Sequence, residues 1–437
     1  MNSTEAQAQD ASFHNLGLSP KILQVVDSLK LTSPTPIQRQ AIPHAILGKD
    51  VIGVAQTGTG KTMAFGLPML QRIAEHNGRG LILLPTRELA LQVYETLGNF
   101  AKPLGLRGAL LIGGASMGPQ IADLRRGPNV IIATPGRLFD HFEQRTVRLD
   151  DISILVLDEA DRMLDMGFWP QIKRIIAAVP VDRQTMLFSA TLSKEIMELA
   201  TKHMKTPTSI EVSPPGTTAA NVSQEFFIVR KDEKMRLLEA TLAKYYGPTI
   251  VFTRTKHGAT RVMKGIRQMG HTTAEIHSNR SLAQRREALE GFKSGKYRVL
   301  VATDIAARGL DVKGVELVLN YDIPSASEDY VHRIGRTARA GAEGHAISFA
   351  MPDERRSMRD IERLIRKQII VSAVPSDLPP ARAPIASSRD DEPRFGSRSR
   401  SPQSSRSNSR GSGSRSFSGG ARRSSGSRSP SRSGSRY

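Results

Sequence analysis

Cysteine is absent from all 437 residues. Disulfides and zinc–thiolate centres are therefore excluded, and the composition suits a reducing compartment. No apolar run approaches the ~18 residues that span a bilayer. The opening Met1-Asn2-Ser3-Thr4-Glu5-Ala6-Gln7 also lacks the basic-then-apolar layout of a secretory signal. The expectation is a cytoplasmic protein without a membrane partner. Aromatic residues are scarce, and Phe168 and the single Trp169 read as packing groups rather than base-stacking platforms. The ten His show no metal-ligand spacing. Acid is missing from the C-terminal end: from Arg394 onward there are eleven Arg and no Asp or Glu, which is more than half of the net charge of +20. Such a charge points to a polyanionic partner, nucleic acid first. Beyond Pro375 the Ser-Arg-Gly sequence has too little apolar material to offset ordering entropy, so it is expected to be disordered.

What is present is organised around one stretch. Val51-Ile52-Gly53-Val54 is a short apolar run that stops at a Gly-rich turn and leads into a helical pattern. Ala55, Gln56, Thr57, Gly58, Thr59, Gly60, Lys61 and Thr62 fit the phosphate-loop template G-x-x-x-x-G-K-[ST], with Ala at the first Gly position. In such a loop backbone N–H groups and a helix N-terminus cradle a polyphosphate. Lys61 would reach the β- and γ-phosphates, and the Thr62 hydroxyl would hold Mg²⁺.

Near-continuous Val/Ile/Leu runs then alternate with helical patterns at residues 80–84, 130–133, 152–157 and 185–188. Runs of this kind mean an α/β fold with a parallel sheet buried on both faces. Each is followed at once by polar residues: Pro85-Thr86-Arg87-Glu88, Thr134-Pro135-Gly136-Arg137, Asp158-Glu159-Ala160-Asp161 and Ser189-Ala190-Thr191. Ligands of open α/β sheets lie outside the carboxyl ends of the strands, so these tails and the phosphate loop converge on one edge. A second α/β alternation has runs at 250–252, 298–301, 315–319 and 346–349 and no phosphate loop. It carries Thr303-Asp304…Arg308-Gly309…Asp311 and His332-Arg333-Ile334-Gly335-Arg336-Thr337-Ala338-Arg339. A unit so rich in Arg is expected to close over a nucleotide held by the first, with Arg336 and Arg339 as fingers on the γ-phosphate. Residues 1–12 are expected to be disordered, 13–212 and 222–371 to form the two domains, 213–221 to link them, and 372–437 to form the disordered basic tail.

In order and spacing these segments, with Pro34-Thr35-Pro36-Ile37-Gln38 and Gly113-Gly114, resemble the DEAD-box ATP-dependent RNA helicases from about Phe13 to Ile370. The wording around Ala338 resembles the bacterial RhlE-like subgroup. The resemblance implies two tandem RecA-like domains with ATP and Mg²⁺ as cofactors. It implies that Gln38 reads adenine with Phe13 packing nearby, that Asp158 holds Mg²⁺ through water, and that Glu159 orients or deprotonates the attacking water. Asp161, Ser189, Thr191 and His332 would couple the domains, while Asp304, Gly309 and Asp311 would lie by the ribose and the cleft. RNA would run across Pro85, Thr86, Arg87, Gly113, Gly114, Thr134, Gly136 and Arg137 of the first domain and Arg285 and Thr303 of the second. Backbone and 2′-OH contacts of that kind fit low sequence preference.

The implied activity is RNA-stimulated ATP hydrolysis with local unwinding of short duplexes by a monomer, on ribosome precursors or in RNA decay. An ATP-gated RNA clamp or annealing chaperone is the alternative. Two positions depart from the family pattern. Lys30-Leu31 stands where an aromatic usually faces adenine, and Leu282 stands in the Gln place of the Gln-x-x-Arg motif that ends at Arg285, unless Gln284 substitutes.

Overall fold

The computed structural model describes residues 12–55, 58–212, 222–307, 312, 314–338 and 343–382. The expected nucleotide contacts Gln56, Thr57, Gly309 and Asp311, the finger Arg339, residues 1–11, the linker 213–221 and the chain from residue 383 lie outside these.

The first sheet comprises β1 (Val51–Val54), β2 (Arg79–Leu83), β3 (Gly108–Leu111), β4 (Val130–Ala133), β5 (Ile152–Asp158), β6 (Gln184–Ser189) and β7 (Thr208–Glu211). Its order is β3-β4-β2-β5-β6-β1-β7, with every pair parallel. The second comprises β8 (Val222–Ile228), β9 (Thr249–Thr253), β10 (Thr273–Ile276), β11 (Val299–Thr303), β12 (Leu317–Asn320), β13 (Gly344–Ala350) and β14 (Ile370–Ser372). Its order, β10-β11-β9-β12-β13-β8-β14, is the first order repeated strand for strand, again all parallel. Both sheets belong to one compact unit.

Side chains alternate across each strand, and the two cores of the first domain divide accordingly. Ile154 and Val156 of β5 join Ile82, Ile132, Met186 and Phe188 on one face. Leu155 and Leu157 join Leu81, Leu83, Ile131 and Leu187 on the other. The second sheet repeats the device, with Val251, Val301 and Leu319 on one side and Ile250, Leu300 and Val318 on the other. Burial on both faces is what continuous apolar runs require.

At the N-terminal end a 3₁₀ turn, Phe13–Asn15, precedes a helix, Pro20–Ser28. Ser19 sits at the N-cap with extended backbone and Pro20 at the first position, but the Ser19 side chain makes no capping bond. Its backbone N–H donates instead to Gln71 Oε1 at 2.9 Å, and Gln71 Nε2 donates to the Gly17 carbonyl. Gln71 thereby staples the leading segment to the Lys61–His76 helix.

The tail boundary at residue 372 is corrected by the second domain. The chain runs on in described contact to Arg382. Val374 and Leu378 pack on the core, Arg236 donates to the Leu378 and Pro379 carbonyls, and Arg382 donates to the Gln268 carbonyl and pairs with Glu239. Two aliphatic anchors and these bonds give the strap what the Ser-Arg sequence beyond it lacks. Ending the chain after Ser372 is expected to cost about 2 kcal/mol of stability. On a domain of this size that lowers the melting temperature by roughly 4–8 °C. A chain ending at Arg382 should melt like the full chain, and equal melting of the two truncations would refute the strap.

Candidate ATP and RNA site

The turn after β1 delivers Lys61 as the first residue of its helix. Gly60 before it has φ of +91°, a conformation that favours glycine, and a Cβ there would overlap the Gln38 amide. Gln38 is fully buried; it accepts from the Thr35 N–H at 2.9 Å and donates to the Gly60 carbonyl at 3.0 Å. It therefore clamps the loop to the Pro36–Ile46 helix. Lys61 is buried and donates to the Ala55 carbonyl at 2.9 Å. Phe13, expected beside adenine, is part of the first-domain core. Leu31 also packs against that core.

Asp158 ends β5 and Glu159 follows with a left-handed φ of +53°, which is uncommon for a residue with a Cβ. Both are buried, and the Glu159 N–H donates to Asp158 Oδ1 at 3.0 Å. Burial pushes the Asp158 carboxyl up to about 6, with Lys61 nearby opposing and the Glu159 charge adding to the rise. A buried carboxylate held beside a lysine and a glycine cradle fits a Mg²⁺–triphosphate, since a divalent cation offsets the charge that burial disfavours.

Asp161 joins this loop to β6. Its Oδ2 accepts from the Ala190 and Thr191 N–H groups at 3.0 Å each and from Thr191 Oγ1 at 3.2 Å. Its Oδ1 accepts from the Arg162 N–H at 2.9 Å, and its own N–H donates to Ser189 Oγ. The coupling trio Asp161, Ser189 and Thr191 is thus one network.

In the second domain Asp304, expected at the ribose, has both carboxylate oxygens engaged by Arg333, at 2.5 and 2.7 Å. Arg333 is 2% exposed, also donates to Asn320 Oδ1 and the Asp322 carbonyl, and lies over the Phe252 ring. One turn on, Arg336 Nε donates to the His332 carbonyl at 3.2 Å. Arg162 of the first domain, Asp304, Asp329, His332 and Arg336 line one small cavity. Ala338 carries a left-handed φ of +52°, the conformation that explains why glycine suits this position.

Thr86 caps the Arg87–Ala101 helix by accepting from the Leu89 N–H, and Thr134 precedes the Pro135–Glu143 helix. Arg87 lies against Gly113 and Gly114, where a Cβ on Gly114 (φ +74°) would overlap the guanidinium. Arg137 donates to the Ala115 carbonyl at 2.9 Å, while buried Gln120 bonds both the N–H and the carbonyl of Ile112. The residues expected to carry RNA in the first domain therefore gather around the 113–116 turn, with Pro85 and Gly136 beside the two caps. Thr303 ends β11. Arg285 pairs across the domains with Glu88, the residue after Arg87, at 2.7 Å, both side chains only 9% exposed.

Known proteins share this arrangement. Residues 35–199 match the family described as DEAD/DEAH box helicase, and residues 233–341 match the helicase conserved C-terminal domain. Over 383 residues the chain is 42% identical to the ATP-dependent rRNA helicase RRP3 of Debaryomyces hansenii, covering 86% of this chain and 79% of that protein. It is 43% identical over 362 residues to the DEAD-box ATP-dependent RNA helicase CshA of Bacillus cereus, covering 82% and 68%. The solved structure of S. cerevisiae Dbp5 bound to RNA and ADP BeF3 matches with a TM-score of 0.75 at 29% identity, over 83% of this chain and 96% of that one. The chain belongs to the DEAD-box ATP-dependent RNA helicases. Its two sheets are the RecA-like domains of that family.

In the sequence of this helicase Glu88 and Arg333 fall within motifs without an evident role, while Arg162 and Asp329 fall outside the motifs. A signal was present: Asp329, Arg333 and Arg336 are spaced by four and three residues, one face of a helix. Of the two departures, Leu282 packs against the first-domain core. Gln284 is exposed, and its Oε1 accepts from the Ser281 N–H in a capping box.

The raised Asp158 carboxyl has a stability consequence. The native state takes up this proton more readily than the unfolded chain, so the group favours folding below about pH 4 and loses that contribution as pH rises through about 6. Asp158→Asn should therefore stabilise the nucleotide-free helicase at pH 7.5 by on the order of 1–3 kcal/mol. The gain should vanish near pH 4, and a gain independent of pH in thermal melts would contradict it.

Proposed function

We propose that this helicase binds ATP–Mg²⁺ and RNA together in the cleft between its domains and locally unwinds short duplexes by closure. Bound ATP–Mg²⁺ supplies the γ-phosphoryl group for hydrolysis and the divalent charge that polarises it. Lys61, Thr62, Gly58, Thr59, Gly60 and Ala55 would hold the phosphates and metal, with Gln38 setting adenine preference and Asp158 fixing the metal's water shell. Glu159 orients the attacking water and accepts its proton. Arg336, and Arg339 in the same motif, arrive with the second domain to stabilise charge on the transferring group, while Asp304, Gly309 and Asp311 border the nucleotide. RNA lies along the 113–116 turn and the two helix caps, where N–H groups and Arg side chains meet phosphates.

The observation that carries this reading is that the two domains touch at both ends of one cleft. Arg162 meets Asp329 beside the nucleotide residues, and Glu88 meets Arg285 beside the RNA residues. ATP and RNA thus favour the same closed arrangement, and closure over one strand excludes its partner. Ribosomal RNA, which the name of the RRP3 relative specifies, in precursor form, or RNA entering decay would be the cytoplasmic target, acted on by a monomer.

Lys61→Ala and Glu159→Gln should both abolish turnover, by different routes. The first weakens ATP binding; the second leaves the phosphate clamp and accumulates an ATP-bound state that grips RNA. RNA should dissociate in ATP far more slowly from Glu159→Gln, and equal release from both variants would overturn the roles. A clamp without unwinding is recognised by strand displacement that is no faster with ATP than without.

The eleven Arg from Arg394 onward supply positive charge to the RNA backbone, each neutralised phosphate steepening the salt dependence by about 0.7 for single strands. A chain ending at Arg382 should bind single-stranded RNA more weakly, with a salt slope flatter by several units. Its ATPase at saturating RNA should be nearly unchanged. Superimposable salt titrations would show that the tail does not touch RNA.

A further inference from the structure

We propose that Arg162 and Asp329 form a closure latch, a positioning pair through which the Asp161 network sets the place of Arg336. The inference rests on the closing-helicase reading above and adds to it the contact that transmits closure. Arg162 Nη1 lies 2.6 Å from Asp329 Oδ1, and the side chains are 3% and 15% exposed. The pair joins the Ala160–Asp165 helix of the first domain to the Ser327–Ile334 helix of the second.

Each end is fixed to a different part of the reaction centre. The Arg162 N–H donates to Asp161 Oδ1, and Asp161 Oδ2 holds the Ala190–Thr191 backbone. Arg162 therefore cannot shift without disturbing the loop that bears Asp158 and Glu159. At the other end Asp329 lies in the first turn of its helix, four residues before Arg333 and seven before Arg336. Asp329 and Arg333 share one face of it, and Arg336 lies in the turn just past its end at Ile334, its N–H donating to the Arg333 carbonyl at 3.1 Å. Arg333 pins the same helix to Asp304 and Asn320, so it moves as a unit with its own domain. Docking Asp329 on Arg162 consequently fixes the distance of Arg336 from the phosphate loop.

Charge makes the contact conditional. Asp329 lies in the first turn of its helix, where the N-terminal dipole favours a negative charge. The Arg162 guanidinium is nearly enclosed, and separation of the domains exchanges Asp329 for water at that site. Truncating one member of a buried, hydrogen-bonded charge pair between two bodies costs affinity on the order of 30-fold or more.

The test is a double-mutant cycle on the full chain with Arg162→Ala and Asp329→Asn, read by a fluorescein-labelled single-stranded oligouridylate. Each single variant should lose about 30-fold in RNA affinity with ADP–BeF₃ present. Affinity without nucleotide, and ATP affinity without RNA, should stay unchanged, which a merely structural defect would not allow. The KM for RNA in the ATPase reaction should rise with it. The double variant should be no worse than either single one. Multiplying losses, or wild-type affinity in either single variant, would overturn the latch. If Arg162→Ala does not fold by thermal melting, Arg162→Lys takes its place in the same cycle. Nucleotide-dependent retention of RNA by the unsubstituted chain, with unchanged variants, overturns the latch alone; no such retention in the unsubstituted chain overturns the helicase reading as well.

Discussion

The carboxylate of Asp161 is the interaction on which the site depends. Four hydrogen bonds end on its two oxygens, from the N–H groups of Arg162, Ala190 and Thr191 and from the Thr191 hydroxyl. Hydrogen bonds to an ionised acceptor are the strong ones, and the residue is 8% exposed, so little water competes. Without that charge the named contacts between the strand-end loops after β5 and β6 would reduce to the Asp161 N–H bond to Ser189 Oγ. The loop that carries Asp158 and Glu159 and the loop that carries Ser189 and Thr191 would be held less firmly together. Because the carboxylate faces both, a displacement of either is felt by the other.

Repetition of one strand order in two sheets explains how two half-sites come to face each other. A parallel α/β sheet places all its functional loops at the carboxyl ends of its strands. In the first domain those ends bear Lys61, Asp158, Ser189 and the caps around Thr86 and Thr134. In the second the equivalent end of β11 bears Thr303 and Asp304, and the end of β12 bears Asn320, to which Arg333 is tied. The second copy carries Arg333 and Arg336 after β12, the strand equivalent to β5, which in the first copy ends at Asp158.

The central strands were legible and the margins were not, for a physical reason. β1, β2, β4, β5, β6, β9, β11, β12 and β13 are flanked by neighbours and buried on both faces, so they read as continuous apolar runs. The unread strands include all four edges, β3 and β7 of one sheet and β10 and β14 of the other. Edge strands keep polar residues toward solvent, as in Thr208-Ser209-Ile210-Glu211. β8, the fifth, alternates buried Val222, Gln224 and Phe226 with more accessible neighbours. At the site, the residues with motif spacing were found and their supports were not. Glu88, Arg162 and Asp329 are ordinary surface charges in sequence, and only the meeting of two domains buries them. Gln38 was read as an adenine contact, yet its role in clamping Gly60 depends on a helix whose approach to the loop no local pattern discloses.

The two buried ion pairs described above that join the domains are of different physical kinds. Arg162 and Asp329 are aligned as a hydrogen-bonded ion pair. Glu88 and Arg285 come as close, at 2.7 Å, but the two carboxylate oxygens and Arg285 Nε have no aligned hydrogen-bond partner among the described residues. Burial raises the Glu88 carboxyl against the opposing pull of Arg285, and it lowers the Arg285 guanidinium. A buried pair without good hydrogen bonds barely repays the loss of its hydration. The RNA-side seam must then gain its attraction from something else, and Leu282 supplies apolar burial against the first domain. The contact beside Asp304 and Arg336 is therefore directional and geometric, while the contact beside Arg87 is apolar and tolerant of sliding.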